Sequence, residues 1–235
     1  MSRPCLDLTL STFAIVFLIA LPAMAADSSK AVHLFNGKDF SGWLAKGGKP
    51  EETLQIGTAK LNQDNPGEIV VEKGGSELIN AKKSGRDFYT EAKFGDALIE
   101  VEFMVPKDSN SGVYVMGEYE VQIEDSFGKK KMTYQDVGGI YSVAAARVNA
   151  AKPVGQWQKF VIDFRAPKFD ASGKKTANAR FVKVTLNGKV IHENVEMTAA
   201  TAGGITGEEH AEGPVMFQGN HGVVAYRNIK VKPVK

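Results

Sequence analysis

From Glu118 to Asp125 the chain reads Glu-Tyr-Glu-Val-Gln-Ile-Glu-Asp. In an extended strand, alternate residues share a face. Tyr119, Val121 and Ile123 then form an apolar face, and Glu118, Glu120, Gln122 and Glu124 form a polar one. Same-face neighbours lie about 7 Å apart. Carboxylates this close repel, and burial raises their pKa values. A cation, an array of sugar hydroxyls or an arginine would relieve the repulsion. A plain solvated face remains the bland reading. Carboxylates and amides suit sugars because they accept and donate hydrogen bonds in fixed directions. Just upstream, Ser109-Asn110-Ser111-Gly112 reads as a tight turn beside this strand.

A second group stands about a hundred residues on. Gly213 to Gly222 and Val223 to Val231 read as two strands joined by a short turn that carries His221. A histidine at a strand end can act as a general base or a metal ligand near neutral pH, and can equally be a hydrogen-bonded structural residue. Arg227 alternates with apolar neighbours and could pair with the central carboxylates, as a structural ion pair or as a substrate contact. His33, His192 and His210 complete the histidines, and none forms a closely spaced zinc-ligand pair. No Gly-x-Ser-x-Gly elbow, phosphate loop or dinucleotide fingerprint occurs, which argues against an elbow hydrolase and nucleotide chemistry.

The elements that must position these groups read as strands. Ile99, Val101, Phe103 and Val105 alternate with polar or flanking residues, as do Phe160, Ile162 and Phe164, and Val182, Val184 and Leu186. Leu186-Asn187-Gly188-Lys189 predicts a two-residue hairpin, because Asn-Gly accepts the positive φ angles that turn requires. Segments 44–51, 62–67, 126–138, 166–179 and 198–214 read as loops, and Val143 to Ala151 as loop or a single helical turn. Lys129-Lys130-Lys131 reads as a solvated turn. Trp43 and Trp157 read as core. Short strands with regular turn signals predict an all-β fold, an antiparallel sandwich.

Residues 1–25 read as a secretory signal peptide. Phe13 to Leu21 is an unbroken apolar run behind Arg3, and Ala23-Met24-Ala25 offers a small-x-small cleavage site. The run is short for a membrane span, which needs about 20 apolar residues. The expectation is cleavage after Ala25, a periplasmic or secreted domain over residues 26–235, and no stable membrane insertion afterwards. The one cysteine, Cys5, precedes the apolar run, so the exported domain has no disulfide and rests on its core. With 29 Lys and Arg against 27 Asp and Glu, the net charge of +2 provides no basic field for nucleic acid.

Together these pieces resemble the 3-keto-disaccharide hydrolase domain family. The resemblance rests on Leu34-Phe35-Asn36-Gly37-Lys38-Asp39-Phe40-Ser41-Gly42-Trp43, Phe94-Gly95-Asp96, Ser109 to Tyr114, and Tyr119-Glu120-Val121-Gln122-Ile123 with Asp125. It continues through Gly139-Ile140-Tyr141, Lys152 to Trp157, Leu186 to Lys189, Gly213 to Gln218 and Tyr226 to Ile229, in family order. It implies a concanavalin-like jelly-roll β-sandwich of two antiparallel sheets with a glycan site on the concave sheet. It also implies action on glycosides oxidised at C3, by C2 deprotonation and β-elimination, with a divalent cation as an optional participant. By position it points to Glu120 and His221 as acid–base or metal-ligand candidates, and to Asn110, Gln122, Asp125, Gln218 and Arg227 as substrate contacts. Tyr114 and Tyr134 are the aromatics that could stack on a sugar. The alternative is a lectin-like carbohydrate-binding module without catalysis.

Overall fold

A computed structural model describes residues 30–234. The expected leader, residues 1–25, and its expected cleavage after Ala25 lie outside the described residues. Fifteen strands follow in order: β1 Val32–His33, β2 Trp43–Ala45, β3 Leu54–Leu61, β4 Ile69–Asn80 and β5 Phe88–Phe94. Next come β6 Ala97–Met104, β7 Asn110–Val115, β8 Tyr119–Glu124, β9 Gln158–Arg165 and β10 Lys168–Phe169. The last are β11 Lys175–Ala177, β12 Ala179–Leu186, β13 Lys189–Met197, β14 Gly213–Phe217 and β15 Val224–Pro233. The helical content among the described residues is one 3₁₀ turn, Pro50–Glu52, so no helix there is long and apolar enough to cross a membrane.

Two antiparallel sheets form a sandwich, as the alternation predicts. The larger runs β13-β12-β9-β6-β15-β4-β3, with β1 paired to the far half of β15. The smaller runs β2-β5-β14-β7-β8. The core between them is aromatic. Tyr226 of the large sheet lies 4.3 Å from Phe217 and 5.9 Å from Phe88 of the small one, centroid to centroid. Tyr119 meets Phe164 at 5.3 Å. Trp43 is core, as expected, with its indole N–H donating to Leu34 O at 2.8 Å. A polar bond joins the two sheets within the core, between Ser111 Oγ and Tyr226 OH at 2.7 Å. Each buried aromatic of this size removes about 150–250 Å² from water, so these rings contribute a large share of the core's apolar burial.

Several local expectations hold, and others are corrected. Leu186 pairs with Lys189 across Asn187 (φ 52°) and Gly188 (φ 80°), the type I′ geometry the Asn-Gly pair predicts. Val143 to Ala151 forms no helix. In β12 a register shift between Phe181 and Lys183 breaks the simple alternation, so Phe181, Val184 and Leu186 turn inward and Val182 does not. Segment 166–179 contains the small β10–β11 hairpin. Asn110-Ser111-Gly112 forms no turn: it is the start of β7, paired residue by residue with β8. The chain reverses instead at Met116 (φ 56°), Gly117 (φ 73°) and Glu118, closed by Glu118 N–H to Val115 O at 3.1 Å.

Candidate active site

The β7–β8 hairpin supplies the floor of a polar cleft. Tyr119, Val121 and Ile123 are fully buried in the core. Glu120, Gln122 and Glu124 therefore face the other side, opposite Tyr114, Gly112 and Asn110 respectively. β8 is an edge strand, and an open edge invites unwanted pairing. Segment 138–141 covers it: Gln122 N–H donates to Gly139 O (2.8 Å), Gly138 N–H to Gln122 O (2.7 Å) and Tyr141 N–H to Glu120 O (3.2 Å). The cleft has a volume of about 480 Å³, within the range of small-ligand sites, and it contains Asn110, Tyr114, Glu120, Gln122, Gln218 and His221.

Gly112 makes room for the central carboxylate. A Cβ there would sit 2.2 Å from Glu120 Oε1, so any side chain would displace the carboxyl. Gln218, one residue beyond β14, docks its backbone on the same strand: its N–H donates to Gly112 O (3.0 Å) and its carbonyl accepts from Ser111 Oγ (2.7 Å). Loop 201–204 forms the opposite wall. Thr201 Oγ1 accepts the Glu120 N–H at 3.2 Å, and the Tyr114 hydroxyl donates to Ala202 O at 3.1 Å.

A polar strut ties the two wall loops together. Asp87, just before β5, accepts the Gly219 N–H at 3.0 Å and pairs with Lys46 Nζ at 3.3 Å. Lys46 Nζ also donates to Gly203 O and Gly204 O, each at 3.0 Å. Asn80 donates to Gly219 O (2.8 Å) and Gly222 O (2.7 Å), holding the turn that carries His221. His221 itself is exposed, with Nδ1 against Asn220 Oδ1.

The electrostatics single out Glu120. Its side chain is almost fully buried, and its pKa is pushed up to about 7. Burial is the main cause, the neighbouring Tyr114 hydroxyl opposes it, and the Asp87 charge adds to it. Glu124 is also raised, by burial against the pull of Lys129. The Tyr114 hydroxyl is raised by burial and the Glu120 carboxylate, and so stays protonated. Two buried amide oxygens, Gln122 Oε1 and Gln218 Oε1, have no hydrogen-bond partner among the described residues. Buried acceptors are nearly always satisfied, so an unpaired pair in one cleft points to donors supplied from outside the chain.

The structure does not bring every candidate together. Asp125 lies beyond the end of β8 and accepts the Asp108 N–H at 3.3 Å, outside the cleft lining. Arg227 is on β15, in the other sheet. It pairs with Glu102 (2.7 Å) and Glu77 (3.5 Å), and its guanidinium lies 4.1 Å above the Trp157 ring. The central carboxylates are on the far side of the sandwich from it, so it neutralises none of them. Glu118 belongs to the turn, where its carboxylate accepts Thr206 N–H (2.8 Å) and Gly207 N–H (3.0 Å) and so anchors the wall loop.

Sequence reasoning missed several lining groups. Tyr141, Thr133, Gln135 and Gly203 come from irregular segments with no periodic signal. Lys129 leaves its basic run to join the cleft lining and bind Asp136. Among the described residues no three His, Cys, Asp or Glu side chains are placed to hold a metal ion. Around Glu120 stand amides, a phenol and one exposed imidazole, groups that accept and donate hydrogen bonds to sugar hydroxyls.

A family model described as the 3-keto-alpha-glucoside-1,2-lyase-like domain matches residues 30–232. A 3-keto-disaccharide hydrolase of Bacteroides thetaiotaomicron is 26% identical over 164 residues, 58% of this chain and 53% of that protein. The chain thus spans about half the length of this relative. A candidate glycosyl hydrolase of Parabacteroides distasonis superposes with a TM-score of 0.67 at 24% identity, covering 88% of this chain and 84% of the other. A second from the same organism gives 0.60 at 17%, covering 87% and 94%. At these identities the likeness to the solved structures is one of fold.

Proposed function

The chain belongs to the 3-keto-alpha-glucoside-1,2-lyase-like domain family, and from that premise we propose that it cleaves 3-keto-glycosides by proton abstraction at C2. The observation that carries this reading is Glu120: a buried carboxyl on the floor of a polar cleft, with a pKa of about 7. A general base works best when its pKa lies near the working pH.

The chemistry follows from the ketone. A carbonyl at C3 acidifies the C2 hydrogen. Glu120 takes that proton and an enolate forms across C2 and C3. The electron pair then re-forms the C3 carbonyl, builds the C1–C2 double bond and expels the aglycone oxygen from C1, which takes up a proton. Water adding across C1 and C2 completes a net hydrolysis. Amide N–H groups of Asn110, Gln122 and Gln218 supply donors for the sugar oxygens, including the enolate oxygen, and the unpaired Gln122 and Gln218 oxygens accept sugar hydroxyls. His221, exposed at the mouth, is available to the leaving oxygen.

Purified protein incubated with 3-keto-glucosides should release the aglycone. The kcat/KM should rise with pH through about 7 as Glu120 ionises. Glycan binding without release from any of several 3-keto-glycosides would assign the cleft to binding alone. We also place the protein outside the cytoplasm, on the leader-like residues 1–25. Mass spectrometry of the exported chain should then find Ala26 as its first residue, and an intact Met1 would refute the placement.

A further inference from the structure

We propose that the cleft takes two sugar rings laid along β8, and that Glu124 makes its outer half select a ring without a carboxylate, a neutral or amino sugar rather than a uronate. The inner position rests on the cleavage reading, which puts the oxidised ring over Glu120. The outer position is a binding surface in its own right.

The strand pairing sets the length of the floor. Three rows of facing residues run along the hairpin: Tyr114 opposite Glu120, Gly112 opposite Gln122, and Asn110 opposite Glu124. Glu120 and Glu124 are four residues apart on one face, about 13 Å at strand spacing, more than one pyranose ring covers. The Glu120 end is closed. There the Tyr114 hydroxyl donates to Ala202 O (3.1 Å) and Thr201 Oγ1 accepts the Glu120 N–H (3.2 Å). A substituent that stays in the cleft therefore continues over Gln122 toward Glu124. His221 stands at that same end: a Cβ on Gly222 would sit 2.5 Å from Asn110 O, so the turn that carries His221 abuts Asn110. The group assigned to the leaving oxygen and the outer half of the cleft thus lie together. Between the two positions are the unpaired acceptors Gln122 Oε1 and Gln218 Oε1, placed to take hydroxyl donors.

The outer half carries a negative field. Glu124 lines the cleft half-buried, with Asp125 and Asp136 near it as like charges and Lys129 as the opposing one. The Lys129 ammonium is bound to the fully buried Asp136. It cancels that carboxylate and leaves Glu124 and Asp125 without a cation of their own. Lys130 and Lys131 are exposed and stand outside the cleft lining. Burial already works against the Glu124 charge. A carboxylate on the sugar would bring a further like charge into a partly desolvated place, which is how a site rejects a wrong ligand. Hydroxyls or an ammonium would instead donate to the Glu124 oxygens.

The test measures kcat/KM for 3-keto-glucosides whose leaving group is methanol, glucose, glucosamine or glucuronate, in wild type and E124Q. Ratios to the methyl glycoside remove any effect of the substitution on the chemistry itself. In wild type the glucuronate ratio should lie on the order of tenfold below the glucose ratio, with glucosamine at or above glucose. Glutamine keeps the shape of Glu124 and loses its charge, so in E124Q the glucuronate gap should shrink by about threefold or more. Equal ratios in wild type, or a gap that survives E124Q, overturn the proposal. Binding titrations with the corresponding unoxidised disaccharides separate it from the cleavage reading. If nothing is cleaved but wild type binds the neutral disaccharide over the acidic one and E124Q evens them, the outer subsite stands and the cleavage reading falls. If the substrates are cleaved without that discrimination, the cleavage reading stands and the subsite falls.

Discussion

Replacing Glu120 by glutamine should abolish turnover and at the same time stabilise the fold above neutral pH. The ordinary carboxyl pKa of 4.5 rises to about 7 in the folded chain. Below pH 4.5 both folded and unfolded chains hold the proton, and the carboxyl costs nothing extra. Between the two values the unfolded chain ionises while the folded one stays neutral, so stability falls as pH rises. Above about 7 the folded carboxylate is charged in a buried place, and the penalty is complete. At about 1.36 kcal/mol per pH unit, the difference between 4.5 and about 7 corresponds to roughly 3 kcal/mol. Glutamine keeps the shape and cannot ionise. The advantage of E120Q should therefore be near zero at pH 4, grow through pH 6, and level off near 3 kcal/mol by pH 8. For a chain of this size that is a Tm rise of about 6–12 °C. Thermal or denaturant unfolding across pH 4–8 reads it directly, beside an aglycone-release assay. A stability difference that stays flat across this range would refute the buried, raised carboxyl. Full activity in folded E120Q would refute its role as base. The opposite signs on activity and stability are what a site held at the expense of the fold should show.

Three further outcomes follow from the same geometry. Gly112→Ala places a Cβ 2.2 Å from Glu120 Oε1, so kcat/KM should drop by about a hundredfold while the protein remains folded; circular dichroism with the kinetic assay checks both. Asp87→Asn removes a charge that raises the Glu120 pKa, so the acid limb of the pH–rate profile should move to lower pH, and an upward move would contradict the assigned cause. Arg227→Ala removes the Glu102 and Glu77 pairs and the Trp157 contact. It should cost about 1–2 kcal/mol in denaturant unfolding, moderated because the guanidinium is partly solvated, and leave kcat/KM unchanged; a selective loss of activity would return Arg227 to the site.

Much of this protein was legible from residue order because a strand has only two faces. The alternation from Tyr119 to Glu124 is enough to separate core from cleft, and Asn187-Gly188 is enough to name its turn, since both are local consequences of backbone geometry. The same logic misread Asn110-Ser111-Gly112. Those residue types favour turns, yet their pairing with β8 and the room Glu120 needs over Gly112 put them in a strand. Arg227 failed for a different reason. Alternation shows that a side chain faces outward but leaves open which sheet of the sandwich carries it.

By itself, then, the sequence determined the strands around Ile99, Tyr119 and Phe160 with their inward faces, and the carboxylate–amide pair Glu120 and Gln122, because these depend on neighbours two residues apart. Only the tertiary structure decided that Gln218 and His221 share their cleft and that Arg227 and Asp125 do not. It alone seated Tyr141 and Lys129 at the rim, and it alone raised Glu120 to a pKa of about 7. Burial, and the field of a charge such as Asp87 brought in from another strand, arise when sheets and loops close over a residue, and no local pattern encodes that closure.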